Sequence, residues 1–458
     1  MRTLRLSLLV LAACAAGAAH AAWGPAARLD AYFDALARND LTSGSIAISQ
    51  DGELKYQRVI GFARIHDGRR EPADVVTRYR IGTATELFTA VLVMQLVERA
   101  SVMLDTPVAE FYPDVPNALQ ARYRDLLQHR SGIVDYTEEP GYDAWRTTAR
   151  THAQMLDLIT GAGKTFEARE RVEPSQSNYL LLGYMLEKVY EKPYGEILKR
   201  QIVDKFGLQR TYMAGAGSRS LESVSCRPNL DGAWGEVPDS DPSIHGGAAG
   251  IVSTAPDLVR FMDLLFGGKL VSPDSLSSMR NQDGGSGLGL WPYVVAGESG
   301  FGHRGRIDGY RSAMYHFPQR KLSIAVTTNA SLLPIDELVD EVLATVFEKR
   351  RQPPAMVPLR MTAAQQANYL GTWRSADAGP RDSPFRNFRT PGHPVDLRVL
   401  AGADAPLVRM NDRAFPLVPY GNDEFMVREL GMFLRFYPAS GELVSRDADW
   451  AYYFRRTP

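Results

Sequence analysis

From Leu87 to Val97 the chain reads LFTAVLVMQLV, apolar around the whole circumference of a helix and not along one stripe. Such a helix must be buried on most sides, so the fold has to wrap structure around it. Immediately ahead stand Thr83-Ala84-Thr85-Glu86. Read locally, Thr-x-x-Glu before an apolar run is a capping box, with the hydroxyl on the N3 amide and the carboxylate reaching back to the cap amide. The same four positions also place a hydroxyl and an ionisable group at the mouth of a buried helix. Local sequence leaves both readings open, and only the surroundings can separate them.

Those surroundings predict an α+β fold. Between Ser43 and Ile65, Asp51-Gly52 separates two strand-like runs, a strong hairpin signal. Helical patterns follow from Asn178 to Lys205 and from Ala255 to Phe266, the latter opened by Pro256 and closed by Gly267-Gly268. A second hairpin joins Tyr310–Phe317 to Leu322–Asn329 through Pro318-Gln319-Arg320-Lys321. Two hairpins flanking a helical middle imply an antiparallel sheet flanked by helices, with a largely helical second lobe, over residues 22–350. RQPPAMVP marks a linker at 351–360. From 361 to 458, strand-like runs at Leu397–Leu400, Phe415–Val418, Phe425–Val427, Phe433–Tyr437 and Trp450–Phe454 alternate with turn residues, as in a small all-β barrel-like domain.

Residues 1–21 have the form of a secretory signal: Arg2 and Arg5, an apolar core from Leu6 to Ala13, and Ala19-His20-Ala21 before the cut. The core is too short to span a bilayer. Leu11-Ala12-Ala13-Cys14 also fits a lipobox, which would make Cys14 a lipid anchor. The expected location is periplasmic or secreted. Cleavage before Ala22 leaves Cys226 as the sole cysteine, which excludes an intrachain disulfide and metal or redox sites built on several cysteines. A net charge of -1 gives no electrostatic footprint for nucleic acid. The expected partner is a small-molecule or peptide ligand, with no metal and no cofactor.

Six blocks, in order, resemble the serine β-lactamase and penicillin-binding-protein superfamily, in its branch of class C enzymes, D,D-peptidases and esterases. They are YRIGTATELFTAVLVMQLVE, LDTPVAEFYPDVP, RDLLQHRSGIVDY, NYLLLGYMLEKV, GGAAGIVSTAPDLVRFMDLLFGGKLVSP and GHRGRIDGY. The segment opening YLGTWR at Tyr369 resembles the small β-barrel domain of some members. The resemblance implies three catalytic stations: Ser-x-x-Lys at the start of the buried helix, Tyr-x-Asn on a loop, and Lys-Thr-Gly or His-x-Gly on a facing edge strand. Acyl transfer needs a hydroxyl with a base beside it, an acid for the leaving group, and amides aimed at the oxyanion.

Here the stations are altered. Thr83 stands for the serine, with a methyl that restricts its rotamer. Glu86 stands for the lysine and reverses the charge; it could act as a base only if burial raised its pKa. EPSQSNYLLLG puts Pro174 where the tyrosine would be and Gln176 at the asparagine. The third station reads His303-Arg304-Gly305, with the second oxyanion amide implied at Arg306. Family geometry would let Arg304 or Arg306 meet Glu86. Tyr136 is expected at the cleft mouth, His129, Ser131 and Gly132 as a turn packed behind the site, and Asp257 as a helix cap.

The expectation is a protein of this superfamily with an altered centre. It is either a ligand-binding pseudoenzyme or a repurposed noncovalent catalyst in which Glu86 and His303 serve as acid and base for cyclisation, isomerisation or water-mediated hydrolysis. The ligand would be a small peptide, acyl or lactone-type compound. The alternative is a conventional β-lactamase, D,D-peptidase or esterase with Thr83 as nucleophile.

Overall fold

Large and small apolar side chains alternate along the central strands, and that alternation sorts the two faces of the main sheet. Ile46, Ile48, Ala313, Tyr315, Ile324 and Val326 share a core with Leu29 and Phe33 of the helix Ala26–Arg38 and with Leu338 and Val342 of the helix Ile335–Val346. Ala47, Met314 and Ala325 face the other way, into the cluster that holds the apolar helix and the helix Ala255–Phe266. This computed structural model describes residues 23–66, 68–281, 285–349, 359–375, 395–421, 423–447 and 451–457. The signal segment, Cys14, linker residues 351–358 and Trp450 lie outside them.

The main sheet has six antiparallel strands in the order Trp291–Val295, Glu298–Ile307, Tyr310–Phe317, Leu322–Ser331, Thr42–Gln50, Glu53–Ile60. Its first hairpin turns at Asp51 (φ 54°) and Gly52 (φ 78°), both left-handed as a two-residue turn of this hand demands. The apolar helix runs Thr85–Glu98, and every residue from Thr85 to Leu96 is buried. Phe88 stacks on Phe261 at 3.8 Å. Within the helix, Thr89 Oγ1 donates to Gly247 O at 2.6 Å and Gln95 Nε2 to Leu270 O at 2.9 Å, while Gln95 Oε1 is buried without a partner.

The pattern from Asn178 to Lys205 divides into several elements. A helix spans Gln176–Tyr190, Glu191 takes a left-handed cap (φ 52°), and Pro193 precedes the next helix, Tyr194–Leu198. Proline has no amide for the i−4 carbonyl, so a single helix cannot run through it. Asp257 is not a cap either. Thr254 accepts the Asp257 amide, and the Asp257 carboxylate instead takes Arg210 N and Thr211 Oγ1, each at 2.9 Å.

C-terminal strands form one nine-stranded antiparallel sheet whose two ends, Arg413–Pro416 and Val418–Gly421, are neighbours in sequence. The sheet therefore curls into a nearly closed barrel. The run expected at Phe415–Val418 is broken at Leu417, after Pro416. Trp373, Phe425 and Phe436 meet edge to face inside it, while Met426 and Phe433 pack into the core beside Leu338.

A buried polar network braces the walls of the helical lobe. Tyr136 Oη lies 3.2 Å from His245 Nδ1, and His245 Nε2 lies 2.7 Å from Ser240 Oγ, which donates to Asp308. Burial, helped by the charge of Arg80, drives the His245 pKa down to about 3. In the unfolded chain the ring regains an ordinary pKa near 6.5 and binds a proton first, so stability falls as pH drops from about 6.5 toward 3. A His245→Asn variant, followed by urea unfolding across that window, is expected to flatten the acid limb by roughly 4–5 kcal/mol at its foot.

Candidate active site

Two glycines let a strand press against a turn. Gly82 (φ 54°) opens the turn Gly82–Ala84 at the head of the buried helix, and a Cβ there would lie 2.5 Å from Arg306 C and O. Opposite, a Cβ on Gly305 would lie 1.8 Å from Ile81 O. The outer strand Trp291–Val295 pairs no further than Gly302, so the edge from His303 to Ile307 is free to face this turn. Across the contact, the Arg306 amide donates to Thr83 Oγ1 at 3.3 Å, and Thr83 Oγ1 donates to Arg304 O at 3.3 Å.

Glu86 makes no capping box. The helix begins at Thr85, and no side chain caps it. The Glu86 carboxylate, 3% exposed, instead sits between two imidazoles. Its Oε2 is 3.1 Å from His129 Nε2 and 3.2 Å from His303 Nε2. The first contact is a directed hydrogen bond. The second is a charge contact lying off the hydrogen-bond direction, since His303 Nε2 meets no acceptor at bonding angles.

Each ring's second nitrogen fixes its state. His129 Nδ1 faces the Ser175 amide at 3.2 Å and Asn178 Nδ2 at 3.2 Å, so it accepts and Nε2 carries the proton given to Glu86. His303 Nδ1 lies 2.5 Å from Arg304 O and must donate to it. Its Nε2 is left facing the Glu86 carboxylate. Burial acts to raise the Glu86 pKa, but the charge and hydrogen bond of His129, together with the charge of His303, outweigh it and hold the carboxylate below its usual range. Glu86 is thus a fixed anion, and the raised pKa that a carboxylate base would need is not found. The trio does not suit a metal: with Nδ1 accepting, His129 has no lone pair at Nε2 to offer.

Thr83, Glu86 and His303 lie together at the head of the buried helix, whereas neither arginine reaches Glu86. Arg304 turns outward to Asp336, and the histidines occupy the place expected for a guanidinium. The Arg306 amide does face Thr83. Gln176 begins its helix, with its amide on Asp135 Oδ2 at 3.1 Å. Tyr136 is 1% exposed, a wall residue and not a mouth residue. His129, expected in a turn packed behind the site, instead reaches Glu86. Its left-handed backbone (φ 54°) aims the ring at Glu86, and no sequence pattern announces that conformation in a histidine.

A hydroxyl residue at the head of a fully buried helix, faced by the free edge of an antiparallel sheet, defines the β-lactamase and penicillin-binding-protein class of folds. The Beta-lactamase family profile matches residues 29–344, and the chain belongs to that family.

Among its relatives, PbpX of Bacillus subtilis (strain 168), provisionally named a penicillin-binding protein, is 26% identical over 279 residues, 58% of this chain and 66% of that protein. A teichoic acid D-alanine hydrolase of Staphylococcus aureus is 26% identical over 184 residues, 40% of this chain and 43% of that protein. The chain thus spans less than two thirds of either relative. The octameric penicillin-binding protein homologue from Pyrococcus abyssi shares the fold with a TM-score of 0.65 at 21% identity, over 93% of this chain and 99% of that one. No described helix is long and apolar enough to cross a membrane.

Proposed function

We propose that the protein keeps its family's ligand cleft but works in it without a covalent Thr83 intermediate. In this reading His303 is the proton carrier, Glu86 the anion that orients it, and the Arg306 amide the donor that polarises a carbonyl. One observation carries it: the carboxylate at the position of the family's lysine is paired with two histidines, while the Thr83 proton is given to a backbone carbonyl and not to a base. The relatives' names, a penicillin-binding protein and a teichoic acid D-alanine hydrolase, point to a penicillin-like or D-alanine-bearing ligand, which fits a periplasmic or secreted protein.

A catalytically silent binding protein is the second reading, favoured by the engagement of both Thr83 hydrogen-bonding roles with backbone. Turnover separates the two. For the acid–base reading, Glu86→Gln and His303→Ala are each expected to lower kcat/KM by about 10²–10⁴-fold. In a binding protein, no substrate turns over and Glu86→Gln leaves affinity within about twofold. Incubation with a labelled penicillin or a fluorophosphonate, followed by peptide mass spectrometry, is expected to find no adduct on Thr83. An adduct there would restore the conventional nucleophilic mechanism and sink this proposal.

A further inference from the structure

The first turn of the helix Ile335–Val346 carries Asp336 and Glu337. Acidic groups there are favoured by the helix dipole, yet these two also look in different directions. Asp336 accepts from Arg304 Nη1. Glu337 pairs with Arg446 of the C-terminal barrel, whose other terminal nitrogen holds Glu424 Oε1 at 2.5 Å. One turn on, Asp340 accepts from Tyr293 Oη at 2.5 Å, and the Tyr293 ring stacks on Tyr315 at 4.0 Å. Tyr293 is itself the strand partner of Gly300, three residues before His303.

This helix therefore stands between barrel and site strand. Its Leu338 shares a core with Met426 and Phe433 from the barrel, so the ion pairs lie at the margin of an apolar seat. Burial pushes the Glu337 pKa up while Arg446 pulls it down. Without Arg446 the carboxyl would have less reason to stay ionised.

We propose that Arg446 is a positioning residue for the His303 centre: by holding Glu337 it sets the helix turn that presents Asp336 to Arg304, whose carbonyl orients both His303 Nδ1 and the Thr83 hydroxyl. Its functional meaning rests on His303 being the proton carrier; its structural content does not. The link is graded, because the Arg304 side chain is 60% exposed and an exposed ion pair contributes little. Loss of Arg446 should loosen the strand edge, not unfold it.

The test uses the full chain with selectively ¹⁵N-labelled histidine, together with amide hydrogen exchange. In Arg446→Ala, exchange across residues 303–307 is expected to quicken about fivefold, with a shifted His303 Nδ1–H signal. Arg446→Lys should restore most of both, and in an Arg304→Gln background Arg446→Ala should add nothing further. Should Arg446→Ala not fold, Glu337→Gln breaks the same link isosterically and is expected to give the same fivefold change. The proposal is overturned if exchange rises only in the barrel strands, or if the effect persists undiminished without Arg304. Neither readout uses turnover, so an inactive wild type would defeat the acid–base reading and leave this one standing.

Discussion

Glu86→Ala is expected to destabilise the fold by roughly 3–5 kcal/mol, the usual cost of removing one partner from a buried ionic group. The carboxylate has two imidazoles on it, and no water can replace it at 3% exposure without a cavity opening beneath the helix. Glu86→Gln should cost less, because the amide keeps the volume and one acceptor for His129 Nε2. The pH dependence distinguishes a charge from a shape. The folded pKa of Glu86 lies below its unfolded value, so its contribution is fully present above about pH 4.5 and is lost as pH falls through the lowered folded value. Urea-unfolding free energies of wild type and Glu86→Gln should therefore diverge above pH 5 and converge in acid. A constant offset across that range would show that Glu86 acts through packing alone.

How far the site could be read in advance depended on the kind of residue involved. The buried helix announced itself because an unbroken apolar circumference has only one physical solution, and the hairpin at Asp51-Gly52 because two left-handed residues in a row suit few other sequences. Thr83, Glu86 and His303 could be brought together only through the order of the six blocks, since 217 positions separate Glu86 from His303 in the chain. Their partners were less legible. Both arginines of His303-Arg304-Gly305-Arg306 looked suited to Glu86 by charge, but side chains alternate across a strand. His303 points inward to Glu86, which sends Arg304 outward to Asp336. His129 was hidden for another reason: its part depends on a left-handed backbone that glycine or asparagine would have advertised.

The most disruptive small change should be Gly305→Ala. The added Cβ would meet Ile81 O at 1.8 Å, Ser312 Oγ at 2.4 Å and Ala84 N at 2.8 Å. None of these can step aside: the Ile81 carbonyl accepts Ser312 Oγ at 2.7 Å, and its amide donates to Ile251 O at 3.0 Å. Hence the strand must retreat from the turn, carrying the Arg306 amide and the His303 ring away from Thr83 and Glu86. Overpacking of this kind costs about 1–3 kcal/mol, and an ångström of displacement at a catalytic centre can remove about 10²-fold in rate. Gly161→Ala is the matching control, because nothing lies within 4 Å of a Cβ at that helical position and alanine is the better helix former. Urea unfolding should separate the two variants by about 2 kcal/mol or more, with amide exchange at Arg306 raised only in Gly305→Ala. Equal stability and equal Arg306 protection would mean that the strand and turn are not held together by this close contact.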